Sequence, residues 1–192
     1  MSRSEPTPSP RRQELLEAAY AYALRSGLGE LSLRPLAEEI HSSPRVLLYL
    51  FGSKDGLISA LLARARADEL AHMQQVAESR DGAEGLQPIA LELWRWLSDE
   101  AHQGLLTLWV ESYARSLIEP DGPWAGFARD TVSDWLALLA SGQPAAIRDT
   151  EAALTQRTLV LAVLRGAMLD LLATGETART TAAVRHQLSA LG

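Results

Sequence analysis

The chain contains no cysteine, which excludes disulfides and thiolate metal sites and fits a reducing compartment. It also lacks a long hydrophobic run. The longest strongly apolar stretch, Leu159 to Leu164, is far too short to span a bilayer. The opening "MSRSEPTPSPRR" has no apolar core of a signal peptide. A soluble, cytoplasmic protein without a membrane partner is therefore expected. The usual marks of an enzyme are missing too: no G-x-S-x-G, no phosphate-binding glycine loop and no cysteine nucleophile. Its four histidines, His41, His72, His102 and His186, show no metal-ligand spacing. Acids are plentiful, but none form a pair that can be placed in a cleft. No catalytic residue, metal or cofactor is expected. Alternating apolar and polar residues, the mark of a half-buried strand, are absent as well, and no internal repeat is found.

What remains is an ordinary packed composition, 47% hydrophobic and 22% charged. The net charge of −6 argues at first against a nucleic-acid partner, but its distribution is uneven. Residues 1–66 carry nine basic and seven acidic side chains, leaving nine basic and seventeen acidic for the rest. That is the pattern of a small basic-faced module on a larger acidic one, or of chance clustering. Residues 1–10, with three prolines and three serines, are expected to be a disordered tail. From Arg11 to Ser26, Leu15, Ala19, Tyr22 and Ala23 recur at helical spacing. Gly27 suits a left-handed C′ position, with Leu28 as its apolar partner. Ser32 is placed to cap a second helix ending near His41, with Pro35 in its first turn and Leu33, Leu36, Ala37 and Ile40 on its buried stripe.

The third helix is very short. In "SSPRVLLYLFGSKDGL" (42–57), Ser43 is the N-cap and Pro44 takes N1. Val46, Leu47, Leu50 and Phe51 form an inward face, leaving Arg45, Leu48 and Tyr49 together outside. Gly52 closes the helix, and Ser53 caps a fourth running to about Ser79. A helix of this length gains little stability from its own hydrogen bonds. Two short helices joined by a tight turn and braced by a first form a helix–turn–helix, whose second helix can enter a DNA major groove. "RDGAEG" (80–85) is a turn, and the remaining segments are again helical: roughly 86–101, 104–118, 124–140, 145–173 and 176–191. The fold class is all-α, with about nine helices.

Residues 11–62 resemble the DNA-binding domain of the tetracycline-repressor (TetR) family. The matching elements are Ser32-Leu33-Arg34, Leu36-Ala37, Ser43, Leu47 and the "FGSKDGL" exit at 51–57. The chain departs from the family at His41, where a turn glycine is usual. It departs again at Leu48 and Leu50, where aromatics are frequent. A non-glycine residue in the turn either accepts a left-handed conformation, which His tolerates, or belongs to a turn of another shape. The resemblance implies that Arg34, Tyr49 and Lys54 contact phosphates and that Ser42, Ser43, Pro44 and Arg45 approach bases, with Arg45 reading guanine. An exposed Leu48 suits thymine methyl groups. Plainer readings stand beside these: Ser43 and Pro44 as capping residues, Tyr49 as a half-buried packing residue, Arg34 and Lys54 as solvated charges.

The resemblance further implies that residues 63–192 form a C-terminal domain that binds a small-molecule effector and dimerises. The protein is then a regulator, more specifically a repressor released from its double-stranded DNA operator by the effector. "LVLAVLRGAMLDLL" (159–172) is apolar almost all round and must be covered on several sides. Leu159, Val163, Gly166, Ala167 and Asp170 are the candidate homodimer interface; a buried monomer core is the other possibility. All five tryptophans fall at Trp94 or later. Trp94, Trp109 and Tyr113, with Glu111 and Arg165 as polar handles, are candidate ligand-binding residues, against the reading that the rings fill the core and that Arg165 pairs with a buried acid. An effector-binding or scaffold protein whose helix–turn–helix no longer binds DNA is the alternative function.

Overall fold

The computed structural model describes residues 9–29, 31–78 and 85–190. Most of the expected tail, residues 1–8, and most of the expected 80–85 turn lie outside these. Nine α-helices occur among the described residues: α1 (Pro10–Ser26), α2 (Leu33–Glu39), α3 (Pro44–Phe51), α4 (Lys54–Glu78), α5 (Leu86–Leu97), α6 (Gln103–Ile118), α7 (Phe127–Ser141), α8 (Glu151–Thr174) and α9 (Thr177–Ser189). No strand occurs among them. The chain divides into two compact units. One takes in the chain up to Ala67 with Leu108–Ala125; the other holds Asp68–Thr107 and the chain from Gly126 onward. Helices α4 and α6 thus contribute residues to both.

In the first unit α1 buries Leu15, Leu16, Ala19, Tyr20 and Ala23. The aromatic on its inner face is Tyr20, where periodicity pointed to the half-buried Tyr22. The helix begins at Pro10, one residue inside the expected tail, because the Ser9 hydroxyl accepts the Arg12 N–H. Leu36 and Ala37 of α2 and Leu47 and Phe51 of α3 are buried, as are Leu57, Ile58, Leu61 and Leu62 of α4.

In the second unit α8 packs on α7 and α9, and α5 on α7, α8 and α9. Three boundaries differ from the sequence expectation. The fifth helix stops at Leu97 and is followed by a short 3₁₀ turn, Glu100–His102, whose cap is the Asp99 carboxylate on the Ala101 N–H. Residues 124–126 precede α7 in turn geometry, with Gly126 at φ 77°. The long α8 starts at Glu151 because Thr150 caps it, its hydroxyl accepting the Ala153 N–H at 3.2 Å. Residues 145–149 are therefore turn. Among the described residues no single helix is long and apolar enough to cross a membrane.

Candidate nucleic-acid interface

Local devices hold α2 and α3 at a fixed corner. The Ser42 N–H donates to the Ala37 carbonyl at 2.8 Å and closes α2. His41 then adopts φ 51°, making it the only described non-glycine residue at positive φ. Of the two turn shapes open to it, the left-handed one is used. Ser43 caps α3 by accepting the Val46 N–H at 3.3 Å, with Pro44 in the first turn. Ser32 stands at the N-cap of α2 but makes no side-chain cap bond. Gly52, at φ 81°, ends α3 with its N–H on the Leu48 carbonyl at 2.9 Å. Ser53 opens α4 by accepting the Gly56 N–H at 2.9 Å. A Cβ at Gly56 would stand 2.1 Å from the Phe51 carbonyl oxygen, so the α3–α4 corner closes around a residue without a side chain. The two helices meet there at 70°.

Long-range contacts brace this corner. Arg12 of α1 donates through Nε to the Leu50 carbonyl at 3.3 Å, and its guanidinium lies 4.8 Å from the Phe51 ring centroid. It therefore satisfies a C-terminal carbonyl of α3, where a cation is favoured. At the other end of the module Glu111 of α6 accepts the Leu28 N–H through Oε2 at 2.7 Å. A Cβ at Gly29 would fall 2.2 Å from Glu111 Oε1, and one at Gly27 would fall 3.0 Å from Oε2. The α1–α2 connection is thus shaped to seat that carboxylate.

The outer surface of α3 follows from its length. Only Leu47 and Phe51 are buried, one turn apart. Arg45 is exposed, Leu48 is 41% exposed and Tyr49 86%, so the expected outward trio is outward. Tyr49 is not a half-buried packing residue. Val46, expected inside, is 37% exposed, because an eight-residue helix resting on one narrow edge leaves the side chain just before that edge uncovered. Pro44 is exposed and Ser43 half-buried, with its hydroxyl engaged in the cap. The Ser42 hydroxyl oxygen is enclosed and has no hydrogen-bond partner among the described residues, so the atom expected to approach bases is covered.

Charge on this surface is unbalanced. Arg11 pairs with Glu14, Arg25 with Glu39 and Arg64 with Glu17. Arg34, Arg45 and Lys54 are exposed, and among the described residues their side chains make no hydrogen bond or ion pair. Arg34 lies in the first turn of α2, Arg45 in that of α3 and Lys54 in that of α4. Helix N-termini repel cations; Asp55 shares the first turn of α4 with Lys54, but none of the three cations pairs with an acid among the described residues, so each is open to an external anion.

The residues expected to bind a ligand fall on three helices of the two units. Trp109, Glu111 and Tyr113 lie on α6 in the first unit, and Trp94 and Arg165 in the second. The Trp109 and Tyr113 rings stack at 5.0 Å. Glu111 is a bond acceptor for the α1–α2 connection, which removes it as an uncommitted handle. Trp94 is buried and donates its indole N–H to the Thr181 hydroxyl at 3.0 Å. Arg165 is half-buried on α8. Trp135 is buried and donates to the buried carboxylate of Glu69. Sequence reasoning did not find the ring stack in this unit, His72–Trp96–His102, with centroids 4.5 Å and 4.7 Å apart. Burial and then the neighbouring His102 hold the His72 imidazole below its ordinary pKa, against a hydrogen bond it donates to Gln75.

On α8, Leu159, Leu169 and Gly166 are exposed, with open space around Gly166; Val163 and Ala167 are half-buried. Val163, Gly166, Ala167 and Asp170 line a groove of about 300 Å³ against Thr180, Ala183, Val184 and Gln187 of α9. Asp170, expected to face a partner subunit, is held by Arg179 of α9 at 2.6 and 2.7 Å. That hydrogen bonding keeps its carboxyl below the usual range.

The sequence matches no family model and no curated protein. Solved structures do match. A TetR-family transcriptional regulator from Cytophaga hutchinsonii superposes with a TM-score of 0.78 at 15% identity, over 97% of this chain and 96% of that one. A transcriptional regulator from Rhodococcus sp. Rha1 gives 0.74 at 23%, over 94% and 95%. The multidrug binding protein EbrR, solved with proflavin, gives 0.65 at 25%, over 95% and 99%. The nine helices, the braced helix–turn–helix and these full-length superpositions agree: the chain has the fold of the TetR-family transcriptional regulators.

Proposed function

We propose that the protein is a homodimeric DNA-binding transcriptional regulator, a repressor released from its operator by a small-molecule effector. The observation that carries this reading is the outer surface of the helix–turn–helix. It presents Arg45, Leu48 and Tyr49 on a short helix, and neither Arg45 nor Arg34 and Lys54 is paired with an acid among the described residues. Unpaired cations around a protruding helix suit a phosphate backbone and a major groove. Residues 11–62 are the DNA-binding domain and residues 63–192 the effector-binding and dimerisation domain. Arg34, Tyr49 and Lys54 position the head on phosphates, and Arg45 reads guanine.

The uncovered apolar residues Leu159, Gly166 and Leu169 on α8 support a two-fold contact with a second copy. Two heads then meet half-sites in successive major grooves. An effector that favours a conformation with a different head spacing releases the DNA. That a superposing protein, EbrR, was solved with proflavin and with imidazole is consistent with a body that admits small ligands. The protein is not an enzyme, and it works in the cytoplasm.

Selecting bound fragments from a genomic DNA pool tests this. The expected result is enrichment of sites with two-fold symmetry, confirmed by gel shift. A protein that retains no duplex at low salt would instead be an effector-binding protein without a DNA target.

A further inference from the structure

We infer that α3 reads its half-site through a single hydrogen-bonding side chain, Arg45, flanked by an apolar pair, Val46 and Leu48, that recognises the C5-methyl groups of thymine. This rests on the DNA-binding reading above and specifies what the recognition helix binds.

The inference follows by elimination along residues 42–48. The Ser42 hydroxyl is enclosed. The Ser43 hydroxyl is occupied by the Val46 N–H. Pro44 has no donor in its side chain or backbone. Leu47 is fully buried. Within this stretch Arg45 alone keeps uncommitted polar atoms, and it matches the two acceptors of guanine; the hydroxyl of Tyr49, 86% exposed, is the phosphate contact of the reading above. Val46 and Leu48 are the remaining exposed side chains, and neither can make a hydrogen bond. At 100° per residue they fall on opposite flanks of the outward face, with Arg45 and Tyr49 between them. In the major groove thymine alone among the four bases carries an apolar group. Two apolar side chains on either flank of a guanine reader therefore select thymine methyl groups on either side of that base pair.

Deoxyuridine substitution tests this without changing the protein. Each thymine of the selected operator is replaced in turn by deoxyuridine, which pairs identically but lacks the methyl. Removing a methyl that is buried on binding is expected to weaken affinity about fourfold at each contacted position, from ~0.8 kcal/mol per buried CH₂. Two such positions per half-site are expected, flanking the guanine. Leu48→Ser should abolish the difference at one of them and Val46→Ser at the other. Every uracil operator bound as tightly as its thymine parent, with guanine discrimination intact, overturns the inference and leaves the regulator in place. A protein that binds no duplex overturns the DNA-binding reading and this inference with it.

Discussion

Replacing Gly56 with alanine sets two physical effects against each other. Gly56 lies in the first turn of α4, away from the positive-φ glycines. Helix propensity then favours alanine by roughly 1 kcal/mol. The added Cβ, however, would stand 2.1 Å from the Phe51 carbonyl oxygen, 3.3 Å from its carbon and 3.4 Å from Ser53 Oγ. The nearest obstacle is backbone, so no rotamer change clears it, and the α3–α4 corner must open by roughly 1 Å to reach van der Waals separation. Overpacking of this kind costs about 1–3 kcal/mol. The net expectation is a loss of up to about 2 kcal/mol, equivalent to a fall in Tm of up to about 8 °C for a chain of this length. Calorimetry on the two proteins measures it. Because Phe51 also anchors α3, operator affinity should fall in the same variant. A Gly56→Ala protein that melts higher than its parent would refute the steric argument and show that propensity governs this turn.

Four further predictions follow from the same surfaces. Lys54→Ala should weaken binding to all sequences alike and reduce the slope of log affinity against log salt by about 0.9 per head, since one phosphate contact is lost; an unchanged slope removes Lys54 from the backbone contacts. Arg45→Ala should cost about 1–3 kcal/mol and relax preference at one base pair per half-site, whereas an equal loss on every sequence would make it a phosphate contact. Because the folded-state pKa of His72 lies below 6.5, the unfolded chain takes up this proton first; stability is complete above 6.5 and declines as pH falls below it. His72→Phe, which keeps a ring against Trp96, should flatten the fall in Tm between about pH 7 and 5, and an equally steep profile would assign the effect to another group. Gly166→Arg, on the open face of α8, should give monomers in sedimentation, and intact dimers would move the interface elsewhere.

The parts of the fold legible in the sequence are those set by contacts within a few residues. Ser43, Pro44 and Gly52 fix both ends of α3 and Ser53 the start of α4, and each acts on a neighbour no more than four residues away. The outward trio followed from the same spacing. Val46 was misplaced because periodicity gives the direction of a face but not how wide an edge its neighbours cover. The structural bond of Glu111 was not legible for another reason: its partner, the Leu28 N–H, lies 83 residues away, and a carboxylate bonded to a backbone amide has no sequence signature. Asp170 is a similar case, taken by Arg179 on the following helix. The start of α8 was set too early because Ala145 and Ala146 favour helix, whereas the Thr150 cap decides where it begins.

The positive φ of His41 reaches beyond the turn it closes. An L-residue held there carries strain on the order of 1 kcal/mol that glycine would not. Exchange of this one exposed side chain could raise or lower the melting point of the head while every group on α3 keeps its place. Robustness and target preference are thus lodged at different positions, and a lineage could tune either trait without disturbing the other.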